Sequence, residues 1–247
     1  MSAANKIDSA KQLALLIELR TRLIRSFIVL FVLFAVLVYF ANPLYTALAQ
    51  PLLKFLPQGH LIATQLVAPF FVPFKLAFLV SLLLGIPYFL YQLWAFIAPA
   101  LYGHERQLIW PFIISSTLLF YAGLLFAYFI IFPLLFHFLT GVAPVGVVLS
   151  PDISEYFDFT IKLLLVFGSL FEIPMIMVLL VFLGITTRER FIRTRSYAIV
   201  GAFIIGMLLA PPDVLSQTIL AVPMWLLYEM GIFLSRFVRY RKKALSF

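Results

Sequence analysis

The chain has 247 residues, of which 64% are hydrophobic and 11% charged, with a mean hydropathy of +1.10 and a formal net charge of +8. Soluble domains are roughly 45–50% apolar and about 25% charged, so a soluble protein is excluded and an all-α membrane protein of several spans is expected. The positive charge does not argue for nucleic acid, because the basic residues flank apolar runs and must first be placed against a bilayer. With no cysteine in the chain, disulfides, thiolate nucleophiles and thiolate metal sites are excluded too.

A bilayer core about 30 Å thick needs about 20 helical residues, and charge-free stretches locate the spans. Residues 26–53 carry no charge and give a first span over about 26–41, ending at Asn42-Pro43. The basic start, the apolar run and "ALAQ" at 47–50 imitate a cleavable signal peptide. The length of that run, the interruption by Glu18 and the early Asn42-Pro43 break favour retention instead. Residues of about 42–70 contain prolines and form the longest extramembrane segment, expected to be partly helical.

The second span covers about 76–97, near Pro99, and the third about 108–138. A fourth, 157–183, contains Glu172, and Pro174 removes the N–H that would pair with the Leu170 carbonyl, which favours a kink. After the basic segment "TRERFIRTR", the fifth span, 197–210, reaches only about 21 Å at 1.5 Å per residue. Pro211-Pro212 stop it there, and the sixth, 214–234, is interrupted by Pro223. The expectation is one transmembrane domain over 1–247 with six helices, the last two short enough to thin the bilayer or to pack beside partners.

Orientation follows from lysine and arginine near the helix ends. Five lie in the N-terminal segment, Arg106 in the 98–108 loop, four in the 184–195 loop and five in the tail from Arg236. Lys54, Lys75 and Lys162 fall near the opposite side, with Asp152, Glu155, Asp158 and Asp213. Both termini are therefore expected in the cytoplasm. The tail "RFVRYRKK" fixes this topology, and near anionic lipid each basic residue adds about 1 kcal/mol.

Enzyme signatures are missing: there is no H-E-x-x-H, no G-x-S-x-G and no phosphate-cradling glycine loop, and His60, His104 and His137 sit on different segments. No metal and no cofactor is expected. The carboxylates carry the chemistry that remains. An ionised Glu172 in mid-span costs roughly 2.5–3.5 kcal/mol on insertion scales, so it is protonated and bonded to a neighbouring helix, or it lines a polar cavity. Glu18 in "IELRTRL" and Glu105 in "YGHERQL" lie at the cytoplasmic edge, each with an arginine within two residues, Arg20 and Arg106. Each alone reads as a surface ion pair worth at most about 1 kcal/mol. Together, on a side rich in positive charge, they suit a receptor for a basic peptide, since carboxylates select arginine through bidentate bonds.

The motifs "ELRTRL", "PFFVPFKL", "YQLWAFIAPALYGHER", "FAYFIIFPL", "FGSLFEIP" and "GAFIIGMLLAPPDVLSQTILAVP", in this order from about residue 16 to 236, make the sequence resemble the TatC family. That family supplies the six-helix receptor subunit of the twin-arginine protein translocase. The resemblance implies a cupped bundle in a bacterial inner membrane. It implies that Glu18 and Glu105, with Arg20 and Arg106 beside them, bind the twin arginines of signal peptides on folded cargo. It places Glu172 in the concave face, and TatB-like and TatA-like single-span partners along the fifth and sixth helices near Met207 and Gln217. An oligomeric complex driven by the proton gradient is implied as well. Two positions depart from the family pattern: Leu15 stands where a His is frequent, and Ala210 where a Thr often precedes "PPD". The rival class is a proton-coupled small-solute transporter using Glu172, which predicts paired repeats that the sequence lacks.

Overall fold

The computed structural model describes residues 3–53, 61–97, 109–141, 151–209 and 213–237. Among these the regular structure is helical. The one β feature is an isolated parallel bridge between Ile62 and Asp152. In chain order the helices are α1 (Ala3–Leu37), α2 (Ala41–Leu53), α3 (Ala68–Ile97), α4 (Ile109–Phe126), α5 (Phe132–Gly141), α6 (Ile153–Leu170), α7 (Ile173–Phe182), α8 (Arg188–Arg193), α9 (Arg195–Leu209) and α10 (Val214–Leu234).

Proline chemistry explains the joints. A 3-10 turn over Val38–Phe40 links α1 to α2, and Pro43 sits in the first turn of α2, where a missing N–H costs nothing. The chain therefore stays helical through Asn42-Pro43 instead of breaking there. Between α4 and α5, residues Ala127–Ile131 form a π segment in which the Phe132 N–H donates to the Ala127 carbonyl. Pro133 has no N–H for the Phe129 carbonyl and its ring crowds that carbonyl, so a widened turn is the local solution. Pro174 likewise separates α6 from α7 at Phe171 and Glu172. Gly184, at φ 69°, ends α7 with Ile185 N–H donating to the Leu180 carbonyl and Gly184 N–H to that of Val181, a left-handed cap suited to glycine.

Among the described residues, five helical segments are long and apolar enough to cross a membrane: Leu13–Gln50, Ala68–Phe96, Trp110–Phe138, Ile153–Phe182 and Val214–Phe237. Helix α9 is apolar but has 15 residues, about 22 Å. The α10 helix differs from the sequence expectation. It runs unbroken through Pro223 for 21 residues, about 31 Å, because packing on neighbouring helices holds a helix across one lost hydrogen bond.

The chain divides into two compact units, one of residues 1–42 and 73–117, the other of 43–72 and 118–247. In the first, α1 runs antiparallel to α3. The Phe34 and Phe78 rings meet edge-on at 5.9 Å, and Arg22 reaches Gln92. Trp94 stacks on Phe112 at 5.0 Å and Tyr91 lies 6.3 Å from Trp110, fastening α3 to α4.

In the second unit, fully buried Phe132, Phe157, Phe167, Leu163 and Leu220 form the core. Gly123 and Gly168 make close passage possible: a Cβ on Gly123 would meet the Phe167 carbonyl at 2.6 Å, and one on Gly168 the Phe120 ring at 2.7 Å. At the start of α6 the Asp152 carboxylate caps the helix, accepting from Ser154 N–H at 2.7 Å and Glu155 N–H at 3.3 Å. It also accepts from Thr64 N–H at 2.8 Å and Thr64 Oγ1–H at 2.6 Å, and Ile153 N–H donates to the Ile62 carbonyl at 2.8 Å. These four bonds to the anion hold the Asp152 carboxyl down at about 2, with the Thr64 hydroxyl the largest cause and the Thr64 N–H next.

Candidate functional site

Glu18 lies on α1 four residues before Arg22, one helical turn apart. Arg22 Nε and Nη2 both donate to Glu18 Oε1, at 3.0 and 2.6 Å. The same guanidinium crosses to α3, where Nη1 donates to Gln92 Oε1 at 3.0 Å and Nη2 to the Ala95 carbonyl at 3.2 Å. That carbonyl is open for a reason written in the sequence: its helical partner would be the N–H of residue 99, which is proline. Gln92 is buried, and its Nε2 donates to the Tyr88 hydroxyl at 2.7 Å, which turns Oε1 toward Arg22. Arg22 and Glu18 remain partly open, with side chains 22% and 35% exposed.

An apolar groove of about 410 Å³ runs from this polar cluster between α1 and α3. Leu23, Phe27 and Leu30 line it on α1, one face at helical spacing, and Ile86, Phe89 and Leu93 line it on α3. Phe89 lies back over Gly85, where a Cβ would come within 2.6 Å of its ring. The groove is thus open because the helices meet through the Arg22 cluster at one end and through Phe34 and Phe78 at the other.

Arg20 is exposed on α1. Glu105 and Arg106 lie outside the described residues, as does His104. The helix ends on either side of that segment are fixed in the first unit, since Trp94 and Phe112 stack close to Ile97 and Ile109. Arg22 and Gln92 were not singled out in the sequence. A signal was present, because Gln92 is a polar side chain in a charge-free run and Pro99 leaves the Ala95 carbonyl needing a donor.

In the second unit, Glu172 stands at the joint of α6 and α7, half-buried. Its N–H donates to the Ser169 carbonyl at 3.1 Å and its carbonyl accepts from Ile176 N–H at 2.9 Å. Met207 and Gln217 fall on the paired helices α9 and α10. Met207 is 53% exposed, and Gln217 Nε2 donates to the Phe203 carbonyl at 3.1 Å. Beside Met207, Gly206 lets α10 approach so closely that a Cβ would sit 3.1 Å from the Gln217 carbonyl. The start of α9 is tied to α10 by Arg195 to Glu229 at 2.7 Å, and α8 is tied to α10 by the Tyr228 hydroxyl, which donates to the Phe191 carbonyl at 2.9 Å.

Helices of this length and apolarity define a polytopic membrane protein. Comparison with known proteins agrees. A family model described as Sec-independent protein translocase protein (TatC) matches residues 14–223. The TatC protein of Escherichia coli K12 is 54% identical over 231 residues, covering 93% of this chain and 90% of that protein. That of Haemophilus influenzae is 50% identical over 235 residues, 95% and 92% of the two chains. A crystal structure of the twin-arginine translocase receptor TatC superimposes with a TM-score of 0.82 at 40% identity, over 91% of this chain and 99% of that one.

The chain belongs to the TatC family of Sec-independent protein translocases. It is a multi-pass protein of the bacterial inner membrane and a component of the twin-arginine translocase. Membership in a protein-transport family disfavours the small-solute transporter.

Proposed function

We propose that this chain is the non-enzymatic receptor of the translocase, capturing twin-arginine signal peptides of folded precursors at Glu18 and Glu105, with Arg20 and Arg106 beside them. The observation that carries this reading is that Arg22, bonded to the partly open Glu18 carboxylate, lines the polar end of an apolar groove. A signal peptide offers the matching sequence of chemistry, guanidinium groups followed by an apolar stretch. Each charge-assisted hydrogen bond contributes about 1.5–3 kcal/mol, and burial of the apolar stretch adds about 25 cal/mol per Å². Planar arginine forks suit carboxylates in a way that a lysine ammonium does not.

In the same proposal α9 is a sixth, short span, and both termini face the cytoplasm, where the lysine and arginine excess belongs. TatB-like and TatA-like single-span subunits dock along α9 and α10 near Met207 and Gln217, because a helix of 15 residues leaves a mismatch that a partner helix can cover. Glu172 supplies polarity within the membrane at the α6–α7 joint, and the proton gradient powers export through an oligomeric complex. The test is export in cells that carry Glu18→Gln or Glu105→Gln as their sole copy. Precursors bearing Arg-Arg leaders should accumulate inside, and normal export with both acids neutralised would remove the proposal.

A further inference from the structure

We infer that Glu18 Oε1, Gln92 Oε1 and the Ala95 carbonyl form a guanidinium site that Arg22 fills as a stand-in and yields to an arginine of the incoming peptide. This inference rests on the receptor reading of Glu18 and names how that same site is regulated.

Three observations carry it. First, the site consists of acceptors alone and is built from two helices. An exposed i,i+4 pair contributes only about 0.3–0.5 kcal/mol, yet here a second helix adds a buried glutamine, oriented by Tyr88, and a carbonyl freed by Pro99. Second, the acceptors fit a fork. Nε and Nη2 converge on one carboxylate oxygen while Nη1 and Nη2 reach across the groove, an arrangement that an ammonium on a single point does not reproduce. Third, the site is reachable. Arg22 is 22% exposed at the groove's polar end, and both of its bonds to Glu18 fall on Oε1, which leaves Oε2 outside the pair.

An arriving arginine can therefore meet Oε2 first and then replace Arg22 bond for bond, without ever leaving the acceptors bare. Exchange of like for like costs little. In the resting site Arg22 meanwhile pairs the Glu18 carboxylate against other cations. Selectivity follows, because a lysine that displaced Arg22 would leave acceptors unpaired.

The experiment uses the purified full chain in lipid nanodiscs. Arg22→Ala should bind a twin-arginine signal peptide about tenfold more tightly than wild type, a Lys-Lys version should gain less, and adding Gln92→Leu should cancel the gain. Ethylguanidinium should raise the melting temperature of Arg22→Ala by about 2–4 °C, ethylammonium should not, and neither should move wild type. Weaker arginine-peptide binding by Arg22→Ala, an equal gain for Lys-Lys, or no response to ethylguanidinium would overturn the exchange.

If Arg22→Ala does not fold, Arg22→Lys keeps a cation in place with fewer bonds, and it should tighten the twin-arginine peptide. Unchanged or weaker binding by Arg22→Lys would overturn the inference equally. The two levels separate cleanly. Wild type that binds no arginine peptide brings down the receptor reading and the exchange with it. Wild type that binds while the Arg22 variants fail these tests brings down the exchange alone.

Discussion

Arg22 Nη1 donates across the α1–α3 groove to Gln92 Oε1 at 3.0 Å, and this bond with its neighbour to the Ala95 carbonyl fastens the polar end of α1 to the first unit. Most large apolar side chains of α1 are exposed, Phe27 by 67% and Phe31 by 71%. The helix is therefore held at a few points. Gln92→Leu removes an acceptor from a partly buried cation and should lower stability by about 1–3 kcal/mol. Tyr88→Phe only frees the Gln92 amide to turn and should cost less. Thermal unfolding in detergent, read by intrinsic fluorescence, checks the order.

The Asp152 clasp should be visible in acid. Its carboxyl is depressed to about 2 by the Thr64 and helix N-terminal donors. The sign follows from the direction of that shift. The clasp's contribution is complete above the ordinary carboxylate value of 3.8, and it is lost as pH falls through about 2. Thr64→Val removes the strongest donor and lets the folded-state value rise toward 3.8, so it should be less stable than wild type at neutral pH and lose less stability between about pH 4 and 2. Asp152→Asn should flatten the pH dependence between about 4 and 2 while lowering stability at neutral pH. Melting temperatures between pH 7 and 2 measure both.

Two glycines should respond in opposite ways. An alanine Cβ at Gly123 would lie 2.6 Å from the Phe167 carbonyl, a backbone atom with no side-chain freedom to yield, so Gly123→Ala should destabilise by about 1–3 kcal/mol. At Gly201, on α9, a Cβ meets nothing within 4 Å. Gly201→Ala should be neutral or stabilising by up to about 1 kcal/mol through helix propensity. Melting curves of the two variants side by side decide this.

For partner docking, a cysteine at Met207 is an informative probe, because the chain has none of its own and this side chain is 53% exposed. Disulfide crosslinking to a cysteine placed in a co-expressed single-span partner should give a specific adduct. A cysteine in place of buried Leu220 should give none. Adducts at neither position would count against docking along α9 and α10.

Much of the fold was legible because apolar length and charge placement are one-dimensional. Long apolar helices could be read from charge-poor runs, and the missing N–H of Pro174 pointed to the joint beside Glu172. Pro43 and Pro223 misled for a physical reason. Proline breaks a helix only where its lost N–H is needed, and neither the first turn of α2 nor the packed middle of α10 needs it enough. In the candidate site, Glu18 stood out as an acid in a basic segment. The acceptors that join it did not, because Gln92 and the Ala95 carbonyl lie more than 70 residues away in the chain and become a site only when α3 runs antiparallel to α1. The Asp152 clasp was hidden for the same reason, its partner Thr64 being 88 residues distant.

The most direct measurement is equilibrium binding of a twin-arginine signal peptide to the purified protein and to Glu18→Gln and Glu105→Gln, with a Lys-Lys peptide as the control. Loss of a charge-assisted pair should weaken the twin-arginine peptide by roughly tenfold or more in each variant, and Lys-Lys should bind wild type poorly. Equal affinity for both peptides in all three proteins would contradict capture of arginine by these carboxylates.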